Sequence, residues 1–133
     1  MIYALDSNII SYMLKGDKQV QGRFQAEIEN GNLYAVAPLV YYEVKRGLVF
    51  VNAKAKLREF DNLCKNGLMG DMNLSVWETV IELYVNLRRQ GKPIEDADLF
   101  ISAYCLVNSY TLVTNNTRHF ENVNGLNLAD WKA

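Results

Sequence analysis

The sequence predicts an α/β domain: a mostly parallel central sheet flanked by helices. Three observations carry that prediction. Ile2-Tyr3-Ala4-Leu5 and Tyr110-Thr111-Leu112-Val113-Thr114 are short apolar runs without polar alternation, as in strands covered on both faces. The stretches between them carry apolar residues at helical spacing, so strands and helices alternate. Leu99 to Val107 is apolar nearly all round, which suits a helix buried between the sheet and other helices. A chain of 133 residues makes one domain, residues 1–133, with a sizeable core.

Taken in order, the first strand ends in Asp6, and Ser7 is placed to cap a short helix through Ile9, Ile10, Met13 and Leu14 that closes at Lys15-Gly16. A second helix runs from Asp17 to Asn30, with Gly31 as its stop. Leu33 to Val36 is the second strand. Pro38 then opens a helix on which Leu39, Val40, Glu43, Val44 and Gly47 share one face. No Lys or Arg neighbours Glu43 within that stripe, and Lys45 and Arg46 point elsewhere. From Ala53 to Leu68 an amphipathic helix turns Leu57, Phe60, Leu63 and Cys64 inward and Lys54, Lys56 and Arg58 outward. Met69 to Leu74 is read as a short strand. Ser75-Val-Trp-Glu78 reads as a capping box opening a long helix, whose stripe of Trp77, Val80, Ile81, Tyr84 and Leu87 is core or subunit interface. Arg88 to Pro93 forms a basic turn, and Glu95 and Asp96 suit the dipole at the start of the buried helix. The last strand leads to a polar turn, Asn115 to Arg118, and a short tail containing Trp131.

Bulk properties exclude several classes. The formal net charge is −1, so any polyanion must meet a local basic patch rather than the field of the whole molecule. Candidates for phosphate contact are Lys45, Arg46, Arg88, Arg89, Lys92 and Arg118. The opening Met-Ile-Tyr-Ala-Leu-Asp lacks the basic stretch and apolar core of a secretory leader, no run approaches the ~18 residues of a membrane span, and a cytoplasmic protein is expected. Cys64 and Cys105 form no CxxC pair and are read as reduced core thiols. With one histidine, His119, and no Gly-x-Ser-x-Gly, neither a zinc site nor a serine hydrolase has its parts.

What remains is acid. Asp6 lies just past the carboxyl end of a strand, where open α/β sheets place ligands. Asp98 opens the buried helix and Glu43 sits in an apolar stripe, so a parallel sheet can bring the three to one edge. Unneutralised, they would raise one another's pKa values. Oxygen-only ligands select hard cations such as Mg²⁺ or Mn²⁺, which bind phosphate oxygens and promote displacement at phosphorus.

Four stretches together resemble PIN-domain ribonucleases: YALDSNIISY, Glu43-Val44-Lys45-Arg46-Gly47, Asp98-Leu-Phe-Ile-Ser-Ala, and Leu112 to Phe120 with the tail Gly125-Leu126 and Asp130-Trp131. They span the chain in order, and the length and tail resemble the VapC-like toxin branch. The resemblance implies a Mg²⁺- or Mn²⁺-dependent endoribonuclease, toxin of a bacterial toxin–antitoxin pair, with structured RNA such as tRNA as substrate. It implies Asp6, Glu43 and Asp98 as metal-binding acids, with Ser7, Asn8, Thr114 and Asn116 around them or on the substrate. Asn116 stands where many relatives have a fourth acid, and His119 where they often carry Asp or Glu. A homodimer is also implied, with Trp77, Tyr84, Tyr41 and Tyr42 as interface aromatics, as is an antitoxin that covers the acids. The alternative is a non-catalytic RNA-binding or receiver-like α/β module. A receiver needs an acidic pair after strand one and an Asp ending a middle strand.

Overall fold

The computed structural model covers residues 1–133. Its sheet has four strands, all parallel, in the order β2-β1-β3-β4: β1 Ile2–Leu5, β2 Leu33–Ala35, β3 Thr111–Val113 and β4 Leu128–Ala129. Six α-helices connect and cover them: α1 Ser7–Leu14, α2 Lys18–Glu29, α3 Pro38–Phe50, α4 Lys54–Asn66, α5 Leu74–Arg89 and α6 Asp96–Asn108. Strand β1 is central, and its register sets Leu5 opposite Val113. The next residues of the two strands, Asp6 and Thr114, therefore emerge side by side at the carboxyl edge of the sheet.

Core packing follows the pattern read from sequence. Leu99, Ile101, Ala103, Tyr104 and Cys105 of α6 are all buried, in one cluster with Ala4 and Leu5 of β1 and Leu112 and Val113 of β3. Both thiols are free and buried, and burial pushes Cys64 up to about 11 and Cys105 up to about 12, so neither is a nucleophile near neutral pH. No helix is long and apolar enough to cross a membrane.

Several local expectations are corrected. Residues 69–74 form no strand. Leu68 makes a single parallel bridge to Ala35, and Gly70 then lies against the Tyr104 ring, its amide donating to the Tyr104 hydroxyl. The N-cap of α5 is Asn73, whose side chain accepts from the Val76 amide, so Ser75 lies inside the first turn. Asp6, not Ser7, caps α1. Strand β4 was not foreseen, because a two-residue strand carries no periodicity. The α5 stripe divides: Val76, Val80 and Leu87 enter the core, whereas Leu74, Trp77, Ile81 and Tyr84 remain exposed along the opposite edge.

Candidate active site

Asp6 is the fixed point of the sheet edge. It is 6% exposed, and its backbone amide continues the sheet by donating to the Val113 carbonyl. One carboxylate oxygen accepts from the Ser7 amide at 2.8 Å, the capping bond of α1. The other accepts from the Thr114 hydroxyl at 2.8 Å and, at 3.5 Å, from the Asn8 amide group. Thr114 is fully buried, and its oxygen also accepts from Asn8 at 3.2 Å and from the Asn116 backbone amide at 3.1 Å. Asn8 closes the circuit by accepting from the Asn115 amide at 3.1 Å. Asn115 in turn accepts from the Tyr12 hydroxyl and donates to Asp130, which holds the loop after β3 against α1 and the tail. Asn8 and Thr114 thus orient Asp6, as do the Ser7 amide and, through Thr114, the Asn116 backbone.

Glu43 and Asp98 approach from other elements, Glu43 from the second turn of α3 and Asp98 from the first turn of α6. Burial raises the pKa of Glu43, and the charges of Asp6 and Asp98 raise it further, while Arg46 opposes them. Burial likewise raises Asp98, with Asp6 and Glu95 adding to the rise against the lowering effect of His119. The charge of Asp6 therefore acts on both Glu43 and Asp98. Two details differ from the sequence reading. Arg46, which lies over the Tyr42 ring, does act on Glu43, because α3 places it one turn further on. His119, read only as standing where relatives often carry Asp or Glu, has its Nδ1 3.5 Å from an Asp98 oxygen.

The surroundings form two openings. One, of about 640 Å³, is lined by Asp98, His119 and the cations Arg88, Lys92 and Arg118. The other, of about 470 Å³, is lined by Glu43, Ser7, Asn8, Asn116, Lys15 and Lys56. Among the sequence candidates for phosphate contact, Arg88, Lys92 and Arg118 are thus brought to the acids. Lys45 is instead held by Asp61 at 3.2 Å and by the Tyr41 hydroxyl, and Arg46 packs on Tyr42. Sequence reasoning missed Lys15 and placed Lys56 outward. Only the packing of α4 beside α3 and α1 brings Lys56 to this opening.

Does the donor set suit a hard cation? It consists of carboxylate oxygens, hydroxyls and amides, with no thiol at the surface and one imidazole, which is the chemistry Mg²⁺ and Mn²⁺ prefer. Burial is the first cause of the raised pKa of both Glu43 and Asp98, and the charge of Asp6 adds to each. No three acidic, imidazole or thiol groups stand close enough together to clasp an ion in these side-chain positions. Glu43 makes no side-chain hydrogen bond within the chain, and Asp98 only its contact with His119.

The model of the PIN domain family matches residues 3–126. "Ribonuclease VapC1" of Haemophilus influenzae (strain R2866) is 25% identical over 132 residues, covering 98% of each chain. The "tRNA(fMet)-specific endonuclease VapC" of Shigella flexneri is 25% identical over 134 residues, 97% of each chain. Among solved structures, VapBC2 from Rickettsia felis, bound to a DNA fragment from their promoter, contains a chain that superposes with a TM-score of 0.89 at 26% identity, covering 98% of this chain and 99% of that one.

Proposed function

The chain belongs to the PIN-domain family and is similar over its whole length to VapC ribonucleases, and from that premise we infer that it is an endoribonuclease toxin of a toxin–antitoxin pair. In this reading Asp6, Glu43 and Asp98 would hold a Mg²⁺ or Mn²⁺ ion. When bound, the ion supplies Lewis acidity for water attack at phosphorus and neutralises charge on the leaving oxygen. Asp6 orients the site, because its carboxylate is held by the Ser7 amide and the Thr114 hydroxyl. Glu43 and Asp98 complete the ligand set from two packed helices. Arg88, Lys92 and Arg118 contact phosphate on the Asp98 side. Hydrolysis by water leaves a 5′-phosphate and a 3′-hydroxyl, and the 2′-hydroxyl takes no part.

The observation that supports this reading is the Asp6 carboxylate, held by the Ser7 amide and the Thr114 hydroxyl at the edge where β1 and β3 end, with Asp98 and Glu43 lining the two openings beside it. The receiver alternative lacks support, since β3 ends at Val113 and is followed by Thr114 rather than by an acid. Structured RNA such as tRNA is the proposed substrate. The exposed α5 line of Leu74, Trp77, Ile81 and Tyr84 is proposed to pair two copies of the chain, and an antitoxin segment to cover the acids. The test is cleavage of total RNA. Activity should stop in EDTA, return with Mg²⁺ or Mn²⁺, return little with Ca²⁺, and leave ends that a 5′-phosphate-dependent ligase accepts. Cleavage undiminished by excess chelator, or 2′,3′-cyclic ends, would refute it, and binding without cleavage would leave an RNA-binding module.

A further inference from the structure

We infer that the opening between α1, α3 and α4 is a second backbone-phosphate subsite for RNA, with Lys56 as its principal contact and Gly47 as its clearance. The inference rests on the ribonuclease reading and adds the side of the site opposite Arg88, Lys92 and Arg118.

Lys56, in the first turn of α4, is partly buried in this opening, and the ion pairs of the chain (Lys45 with Asp61, His119 with Asp98, Lys132 with Asp17) leave it unused. Lys15, the residue that ends α1, is exposed at the same opening and equally free of an ion pair. A long cationic side chain held partly out of water without a carboxylate is suited to an anion that arrives from outside. Along α1, Ser7, Ser11 and Lys15 follow one another at intervals of four residues and so form a ridge of donors leading away from Asp6. Neither serine hydroxyl is engaged elsewhere in the chain, so the ridge has open capacity for phosphate and ribose oxygens.

Gly47 supplies an independent observation. It lies inside α3 on the wall of this opening, with an ordinary helical backbone, and a Cβ built there meets nothing within 4 Å. Packing within the chain does not require a glycine, and helix propensity disfavours one. Its bare backbone instead widens the opening beside Glu43, one helical turn away, where a strand of RNA must pass close to reach the acids.

The test uses the full chain carrying Asp98→Asn to silence cleavage, a fluorescein-labelled single-stranded 12-nucleotide RNA, and a salt series. Lys56→Gln should weaken binding roughly fivefold to tenfold and flatten the slope of log affinity against log salt by about 0.7, the value for one lost single-strand phosphate contact. Lys56→Arg should restore both. Gly47→Ala should bind RNA several-fold more weakly even though its melting temperature equals or exceeds that of the parent, a combination that a purely structural glycine does not give. A parent chain that cuts no RNA would sink the ribonuclease reading itself, and an Asp98→Asn protein that still cuts would remove Asp98 from the catalytic acids. A silent Asp98→Asn protein whose affinity and salt slope are untouched by Lys56→Gln would overturn the subsite alone, and retained affinity in Gly47→Ala would overturn the clearance role.

Discussion

Removing the charge of Asp6 and removing that of Asp98 should have opposite effects on stability although both end catalysis. Asp6→Asn keeps the shape of the side chain and leaves one oxygen. If that oxygen stays on the Ser7 amide, the new NH₂ faces Thr114, whose two lone pairs already accept from Asn8 and the Asn116 amide and whose proton was given to Asp6. One charge-assisted hydrogen bond, roughly 1.5–3 kcal/mol, is then lost, and two donors confront each other in a site only 6% exposed. If the amide flips, the α1 cap is lost instead, at about 1 kcal/mol. Relief of repulsion from Glu43 and Asp98 offsets part of either loss. The cheaper arrangement prevails, so a net destabilisation of no more than about 1 kcal/mol follows. Asp98→Asn loses only its contact with a largely exposed imidazole, about 0–1 kcal/mol, and no longer has to bury a charge beside Asp6. It should equal or exceed the wild type. Urea unfolding in EDTA, followed by the fluorescence of buried Trp131, measures both. Asp6→Asn as stable as the wild type, or Asp98→Asn clearly weaker, would refute the reasoning.

Three further outcomes are expected. Asn116→Asp adds charge to the opening that holds Glu43 and should move the Mn²⁺ titration of cleavage to lower concentration, a gain on the order of 1–3 kcal/mol if the new carboxylate is aimed at the ion; an unchanged curve would remove Asn116 from the site. Glu43→Gln should stabilise the metal-free protein by about 0.5 kcal/mol at neutral pH, small because the carboxylate keeps contact with water. Since the folded-state pKa is raised, the cost of charging Glu43 is present above that raised value and fades as pH falls through it toward the ordinary 4.5, so the advantage should disappear in melts near pH 4. Ile81→Asp, in the middle of the exposed α5 line, should shift sedimentation from dimer to monomer without lowering thermal stability by more than about 0.5 kcal/mol.

The elements legible in the sequence were those with an internal signal. Apolar runs gave β1 and β3, helical periodicity gave the helices, and Asp17 and Gly31 marked the ends of α2 because caps and stops are local chemistry. The acids were legible by residue type and position, Asp6 after a strand and Asp98 at the head of an apolar helix. What escaped depended on neighbours distant in sequence. The cap of α1 was read as Ser7, but Asp6 supplies it at a position where a site also needs a rigid carboxylate, so the two roles do not compete. Lys56 was assigned outward from the pattern of its own helix, which cannot know that α1 and α3 build a wall beside it. His119 reaches Asp98 only because η1, the 3₁₀ turn Thr117–Phe120, folds back against α6. Gly70 broke the expected strand through contact with Tyr104, a residue on another element.

The hydrogen bonds divide the acids by task. Asp6 is committed, with donors on both carboxylate oxygens, and cannot move without breaking the cap of α1 and the link to Thr114. Glu43 makes no hydrogen bond within the chain, and Asp98 makes only its contact with His119. One acid is therefore already fixed in place and two have rotamers free to move. Were a hard cation held by these three, the fixed donor would lower the ordering cost of binding it. The adjustable pair sits on α3 and α6, and each borders its own opening with its own cations, Lys56 with Glu43 and Arg88 with Asp98. In a chain whose net charge is −1, positive charge is thus gathered on the two flanks of the acids.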